Sequence, residues 1–420
     1  MPLVYVHGIA NRRERGAYRE DALRDAMFRE HLLAGLPGGA AHTVRTAHWG
    51  DLGGSLAWNG DSFPQGRVEI LGGDDPLGEL SQEVIDDIAR TTEPKSDRLV
   101  LDVALRSLPD ALDLLFVLAG LSGTARLPAD ALARLSRVLT DRYDDGDRPG
   151  TGRELHPWLA GLRSDADLIE ELAARADEED GPVPGTTAPA RTPLPAQRET
   201  LGNRSLSDAW GSLRSGAGRL SRAAASRLLS RPVARLRTAG VEKVPLLIGD
   251  VTAYLARRGT REEPGPLVRR VVGVLDEAMA ERTDDLPLYV IAHSMGGNIV
   301  HDILSHYRPE LRVDALVTVG SQVGLFEELK LFRESDPTVT GGSGARVPRA
   351  AAAARWLNVV DEADPLAFSA EPVFSGVTDY TYVSGRPWAH SAALHQPMFH
   401  ARLARRLAAG TPAGRDASTR

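Results

Sequence analysis

Six short runs of apolar residues recur along the chain, each bounded by glycine or polar turn residues. They are Leu3–Val6, Thr43–His48, Leu288–Ala292, Ala315–Val319, Trp356–Val360 and Tyr380–Val383. Runs of this length that are rich in Val, Ile and Tyr predict buried strands, and helical patterns lie between most of them. This alternation predicts an α/β fold, with a mostly parallel sheet of about six strands and helices on both faces.

The alternation stops between the second and third runs. Residues 52–244 contain no strong strand pattern, but helical periodicity occurs at Ser96–Gly120, Ala129–Leu139 and Ser164–Ala176. Proline removes a backbone donor and clashes with the preceding turn, so Pro109 is expected to kink or divide the first of these helices. The region therefore predicts a large, mainly helical insertion between two strands of the sheet.

These patterns divide the chain into a discontinuous core and an inserted unit. We predict that residues 1–51 and 245–408 form the core, and that 52–244 is a helical insertion or lid. Within the insertion, 177–200 is rich in Pro, Gly, Thr and acidic residues, which is typical of a flexible linker. The segment 409–420 is expected to be a disordered tail.

Charge is polarised within the insertion. Residues 141–180 hold thirteen Asp or Glu against five Arg, whereas 204–240 holds eight Arg against one Asp. In the basic segment Trp210, Leu213 and Ala217 recur at helical spacing, which predicts a basic amphipathic helix. Two interpretations stay open: a lid or membrane-surface helix near the active site, and a helix docked on the protein.

Composition narrows the class of protein. The 420 residues are 42% hydrophobic and 25% charged, a balance typical of globular domains. The net charge of −7 gives no reason to expect a nucleic-acid partner. The first strand begins at the N-terminus with no signal-peptide pattern before it, and no apolar run could span a bilayer, so we expect a cytoplasmic protein.

Residues 292–297 (AHSMGG) are the most informative motif of the chain. They follow an apolar run and lead into a helical pattern, so that Ser294 is expected at the apex of a sharp strand–turn–helix. This is the context of a nucleophile elbow, in which the residues two before and two after the serine must be small. Ala292 and Gly296 meet that requirement. The N-terminus of the following helix would direct N–H groups and its positive dipole end at the reaction centre.

A nucleophilic serine also needs amide donors for the oxyanion that develops on the substrate carbonyl. The first strand runs into His7-Gly8-Ile9, where glycine would let the backbone turn so that the next N–H faces the site. We predict that the backbone N–H groups of Ile9 and Met295 form the oxyanion hole. His7 is expected to orient this loop by hydrogen bonding, and His293 to face away from the serine in a structural role.

The serine hydroxyl needs a base, and the base needs an acid that holds its tautomer. The acid is expected after a later strand, where Asp361 and Asp364 follow Trp356–Val360. Asp364 is favoured and Asp361 is the alternative. The base is expected after the last strand, and His390 is favoured over the later histidines at 395 and 400. No metal-binding pattern such as H-E-x-x-H occurs.

The chain order Ser294, Asp364, His390 is that of α/β-hydrolases, and the sequence resembles this superfamily, particularly its lipase- and esterase-like branch. The resemblance covers the first fifty residues and about 245 to 405. It is carried by residues 4–8 (VYVHG), 292–297 (AHSMGG), 318–321 (TVGS), 364–366 (DPL) and His390. Because the sequence opens on the strand before the oxyanion loop, we do not expect the antiparallel strands that usually begin this fold, and 52–244 departs from the compact family pattern.

The resemblance implies an α/β-hydrolase fold and a serine hydrolase that cleaves carboxylic esters through an acyl-enzyme, with no cofactor and no metal. The substrate would be a small-molecule or lipid ester, with membrane-surface contact through 204–240 as one possibility. The same triad also serves thioesterases and amidases. Two further hypotheses are a catalytically idle binding module with the same fold and an enzyme whose activity the insertion controls. The oligomeric state is not predicted.

Overall fold

In a computed structural model of the protein, twelve stretches of the chain are described. They are residues 2–9, 11, 18–34, 43–55, 97–120, 128–146, 148–177, 203–226, 248–283, 286–362, 364–382 and 392–409. The predicted linker and tail therefore lie outside the described residues, apart from Asp177 and Ala409, which each end a helix.

The described residues form eight strands, joined and covered by helices. The strands are β1 Pro2–Val6, β2 Thr43–Ala47, β3 Tyr289–His293, β4 Ala315–Val319, β5 Val347–Pro348, β6 Trp356–Val360, β7 Phe374–Ser375 and β8 Val377–Thr381. The helices are α1 Tyr18–Met27, α2 Leu99–Ala104, α3 Leu108–Gly120, α4 Ala129–Tyr143, α5 Gly152–Leu155, α6 Asp165–Asp177, α7 Asn203–Ser226, α8 248–257, α9 Pro266–Ala280, α10 Met295–Asp302, α11 Val323–Glu328 and α12 Pro397–Ala409. Two π-helical turns extend helices, Phe28–Leu33 after α1 and Ile303–Tyr307 after α10.

Six strands make one sheet in the order β2-β1-β3-β4-β6-β8, and every neighbouring pair is parallel. The predicted α/β class and six-stranded, mostly parallel sheet are confirmed. The last strand begins at Val377, three residues before the predicted Tyr380. It is an edge strand, and its first half carries the polar pair Thr378 and Asp379, so the apolar pattern marks only its second half.

Strand β1 shows why the apolar runs are nearly continuous. All five of its residues are buried, because both faces of the sheet are covered. Leu3 and Tyr5 pack into the cluster under the π-helical turn and α12. Val4 and Val6 pack on the opposite face, against α9 and α10. Each fully buried apolar side chain contributes about 1.5–3 kcal/mol, so the central strands form a stable base for the loops at their ends.

The described parts of residues 52–244 are helical and form a third hydrophobic cluster with residues of α1. The predicted first helix is two helices, α2 and α3, and Pro109 is the second residue of α3. Proline is tolerated there because the first N–H groups of a helix have no intrahelical acceptor. Pro109 therefore follows a break in the helix and does not kink it.

The apolar side of the basic helix α7 packs against protein between Ala209 and Ala217. Ala209, Trp210, Leu213 and Ala217 are buried in the cluster of the insertion. The backbone of α7 also comes close to that of α3, since a Cβ on Gly216 would lie 2.9 Å from the carbonyl carbon of Leu118. Among the described residues, no helix is both long and apolar enough to cross a membrane.

Gly54, near the start of the predicted insertion, contacts Asp250 of α8, which follows the insertion in the sequence. The N–H of Gly54 donates to the carboxylate of Asp250 over 2.7 Å, and Asp250 is fully buried. The insertion also contacts the C-terminal helix, because Arg402 and Arg405 of α12 pair with Asp144 at the end of α4. Described residues near the start of the insertion and just after it are therefore neighbours, and α4 of the insertion contacts α12.

The strand order also defines a switch point. From β1 the chain crosses to β2 on one side, and after the insertion it returns to β3 on the other side of β1. In open parallel sheets, the crevice at the carboxyl ends of strands flanking such a point is the usual ligand site. Here that crevice lies between the loops after Val6 and after His293.

One buried imidazole provides a test of the packing behind this sheet. His301 of α10 lies against the rings of Phe332, Trp356 and Phe374, with ring centroids 4.4 to 5.1 Å apart. Burial lowers the pKa of His301 to about 4, against an opposing effect of the carboxylate of Asp302. Below pH 6.5 the unfolded chain therefore binds a proton that the folded protein excludes, and stability is lost as the pH falls from 6.5 towards 4.

We expect this proton linkage to disappear in His301→Leu. Between pH 7.5 and pH 5, the free energy of unfolding of the wild type should fall by about 2 kcal/mol relative to that of the variant. Urea unfolding of both proteins at the two pH values measures the difference. If the wild type and the variant lost the same free energy of unfolding between the two pH values, the imidazole would not be held neutral by burial.

Candidate active site

Ser294 connects β3 to α10 in a strained backbone conformation. Its φ is 54° and its ψ is −128°, a region that residues with a side chain rarely occupy. Among the described residues, Lys330 is the other non-glycine with positive φ. Strain of this kind costs about 1–3 kcal/mol and persists where the surrounding structure enforces it, often at functional sites.

The start of α10 is packed directly against the end of β1. A Cβ on Gly296 would lie 2.4 Å from the carbonyl oxygen of Val6 and 2.8 Å from that of His7. These are contacts with backbone atoms, which cannot move aside as a flexible side chain can. Gly296 therefore permits the close approach of helix and strand that gives Ser294 its sharp turn.

The loop after β1 touches the serine side chain itself. A Cβ on Gly8 would lie 2.7 Å from the Cβ of Ser294 and 3.2 Å from its Oγ. Ile9 follows Gly8 and is half-buried, while Met295 is the first residue of α10. The two predicted oxyanion donors therefore belong to the two turns that flank the Ser294 hydroxyl.

Hydrogen bonds connect the turn at Ser294 to the end of the neighbouring strand β4. The N–H of Ser294 donates to the carbonyl of Val319 over 2.9 Å, and the Ser294 carbonyl accepts from the hydroxyl of Ser321 over 2.9 Å. Gly297 N–H donates to the same carbonyl. The sequence did not predict this contact of Ser321. Its position just after β4, at the same edge of the sheet as Ser294, is the feature that could have indicated it.

His7 holds the first loop through both ring nitrogens. Its Nε2 accepts from the backbone N–H of Trp49 over 3.0 Å, so the ring proton lies on Nδ1, which contacts the carbonyl of Gly8 at 2.6 Å. The indole of Trp49 stacks on the imidazole and donates to the His7 carbonyl. A ring engaged in this way orients the loop and does not serve as a general base.

His293 lies close to the same loop. It is buried, and its Nδ1 lies 3.2 Å from the position of a Cβ on Gly8. The imidazole and the Ser294 hydroxyl are thus both neighbours of one glycine, whereas the sequence predicted that His293 faces away from the serine. The loop after β1 therefore lies against both side chains.

The two candidate acids lie in one turn after β6, at the same edge of the sheet as Ser294. Asp361 and Asp364 are both buried, and the N–H of Asp364 donates to the carbonyl of Asp361. Oδ1 of Asp364 accepts from the N–H of Leu366 over 2.9 Å, which stabilises the turn. Burial at the end of a strand is a property that both carboxylates share, so Asp361 stays an alternative to Asp364.

The proposed base, His390, lies outside the described residues. Of the later histidines, His400 is fully buried between Phe28 and Phe399, and its Nε2 contacts the carbonyl of Leu394 at 2.8 Å. Burial lowers the pKa of His400 to about 4. His400 is therefore a packing residue of α12 in the core.

The described structure brings together the serine, its two flanking turns and the buried residues that support them. A hydroxyl at a helix N-terminus and beside a second backbone turn lies where the helix dipole and backbone N–H groups favour negative charge. Within the part of the chain that the structure describes, no group of three or more His, Asp or Glu side chains is arranged to hold a metal ion.

Comparison of the chain with protein-family models, curated proteins and solved structures gives no match. The assignment of the site therefore depends on its own geometry and on the sequence pattern that predicted it.

The strain at Ser294 is directly testable with two small substitutions. Ser294→Gly removes the steric conflict of a Cβ at positive φ, whereas Ser294→Ala retains it. We expect the glycine variant to be more stable to unfolding than the alanine variant by about 1 kcal/mol, after the greater unfolded-state entropy of glycine is included. Denaturant unfolding measures the difference. An alanine variant of equal or greater stability would contradict a strained elbow.

Proposed function

We propose that this chain is a serine hydrolase of the α/β-hydrolase superfamily that cleaves carboxylic esters, with Ser294 as the nucleophile. The observation that carries the proposal is the left-handed backbone of Ser294 at the carboxyl end of β3, next to the β1 loop at the switch point of the sheet. A buried, strained serine in this position has no evident role in packing, since glycine would fit the backbone better.

The proposed reaction has two steps. In the first, Ser294 Oγ attacks the ester carbonyl while His390 accepts the hydroxyl proton, and the backbone N–H groups of Ile9 and Met295 donate to the oxyanion. The carbon–oxygen bond to the leaving group breaks, and His390 protonates the departing alcohol. In the second step, His390 activates water, which hydrolyses the acyl-enzyme and releases the acid. Asp364, or alternatively Asp361, would orient the imidazole and stabilise its protonated form.

The surroundings of Ser294 fit this role. The serine is only 2% exposed, and exclusion of water strengthens hydrogen bonds to a developing charge. His7 and Trp49 fix the loop that supplies one oxyanion donor, and the first turn of α10 supplies the other. The proposed substrate is a small-molecule or lipid ester, and neither a cofactor nor a metal takes part in the proposed mechanism.

Replacement of the nucleophile tests the proposal. We expect Ser294→Ala to reduce the turnover of p-nitrophenyl esters by roughly a thousandfold or more, because the acyl-enzyme can no longer form. Ser305→Ala is a matched control, since Ser305 lies in the helical extension of the same element and only donates to the His301 carbonyl. The control should retain wild-type rates.

A series of substrates separates this proposal from its alternatives. Esters of graded acyl length, with the corresponding thioesters and amides, would be compared for the wild type and Ser294→Ala. Serine-dependent turnover confined to thioesters or amides would reassign the reaction within the same mechanism. Turnover that persists in Ser294→Ala, or a wild type inactive on the whole series, would overturn the proposal; inactivity would favour an idle binding module.

A further inference from the structure

A carboxylate of the insertion lies buried at the junction with the core. Asp113 of α3 is 5% exposed, and each of its oxygens accepts one hydrogen bond. The phenol of Tyr382 donates to Oδ2 over 3.0 Å, and the backbone N–H of Met398 donates to Oδ1 over 3.0 Å. One side chain thus connects the insertion to two separate positions of the core.

Those two positions flank one short piece of the chain. Tyr382 directly follows β8, whereas Met398 is the second residue of α12. The sequence between them contains His390. Asp113 therefore bonds to one described residue on each side of His390 in the sequence. One of these bonds comes from the first turn of α12, where N–H groups lack intrahelical acceptors.

Packing alone does not account for a carboxyl at this position. Its neighbours on α3 are apolar: Leu112, Leu114 and Leu115 are buried in the hydrophobic cluster of the insertion. Burial raises the pKa of the Asp113 carboxyl to about 7, although both hydrogen bonds lower it. Leucine has the same branching and avoids the cost of burying a polar group, so what distinguishes aspartate here is its ability to accept two hydrogen bonds.

We propose that Asp113 is a positioning residue: by holding Tyr382 and Met398, which lie on either side of His390 in the sequence, it supports the action of the proposed base. The inference rests on the proposed function, because it concerns the residue expected to act as the base. It gives the insertion a role in catalysis that does not require contact with the substrate.

Asp113→Leu tests this role, because it replaces both acceptor oxygens with methyl groups and keeps the branching of the side chain. We expect the kcat for p-nitrophenyl acetate to fall about 10- to 100-fold with little change in KM, since small displacements of a catalytic group have effects of this size. Asp113→Asn should restore most of the activity, because its amide can accept from Met398 and donate to the phenol oxygen. Asp110→Leu, on the exposed side of the same helix, is the matched control.

A double-mutant cycle with His390→Ala distinguishes positioning from a general loss of structure. If Asp113 acts through His390, Asp113→Leu should cause no further loss of the residual activity in the His390→Ala background. Tyr382→Phe removes one of the two hydrogen bonds and keeps the aromatic ring. Its loss of activity should be smaller than that of Asp113→Leu and should also be absent in the His390→Ala background. If Asp113→Leu does not fold, Tyr382→Phe provides the test.

Two results would overturn the inference alone: a wild-type kcat in Asp113→Leu and Tyr382→Phe, or equal fold-losses with and without His390. A wild type that is inactive, or whose turnover persists in Ser294→Ala, would overturn the proposed function and this inference together. The outcome for the Ser294 variant therefore separates the two failures.

Discussion

The structure depends on the contact between two turns at the centre of the sheet. The loop after β1 and the turn after β3 approach so closely that a methyl group on Gly8 would collide with Ser294, and one on Gly296 with the carbonyl of Val6. Backbone strain of about 1–3 kcal/mol at Ser294 is tolerated because the strands beneath are fully buried on both faces. The strained residue is the one whose hydroxyl lies against the loop after β1.

Several residues stabilise the contact between the two turns. His7 and Trp49 connect the first loop to the end of β2, while Ser321 connects the elbow to the end of β4. The helical insertion contacts α12 through Asp144 and Asp113. The insertion is therefore part of the packing around the core and its C-terminal helix, as well as a separate hydrophobic cluster.

Much of the fold could be predicted from the sequence because its signals are local. Strands buried on both faces give continuous apolar runs, and five of the six sheet strands lie within one residue of their predicted bounds. The edge strand β8 was placed three residues late because its first half is polar. The division of the first predicted helix followed from Pro109, although the helix restarts just before that residue.

The contacts that the sequence could not predict are those between distant residues. Nothing near Asp113 indicates that it accepts from Tyr382 and Met398, which lie 269 and 285 positions away. The tautomer of His7 depends on Trp49, 42 positions away. The choice between Asp361 and Asp364 is likewise tertiary, since both follow β6 and both are buried.

The most direct test of the central claim is the chemical reactivity of Ser294 itself. Treatment of the native protein with a fluorophosphonate, followed by proteolysis and mass spectrometry of the peptides, locates any covalent adduct. If Ser294 is the nucleophile, one stoichiometric adduct forms on Ser294, and none forms when the protein is unfolded before treatment. A native protein that carries no adduct, or carries it on another residue, would show that Ser294 is not an activated nucleophile.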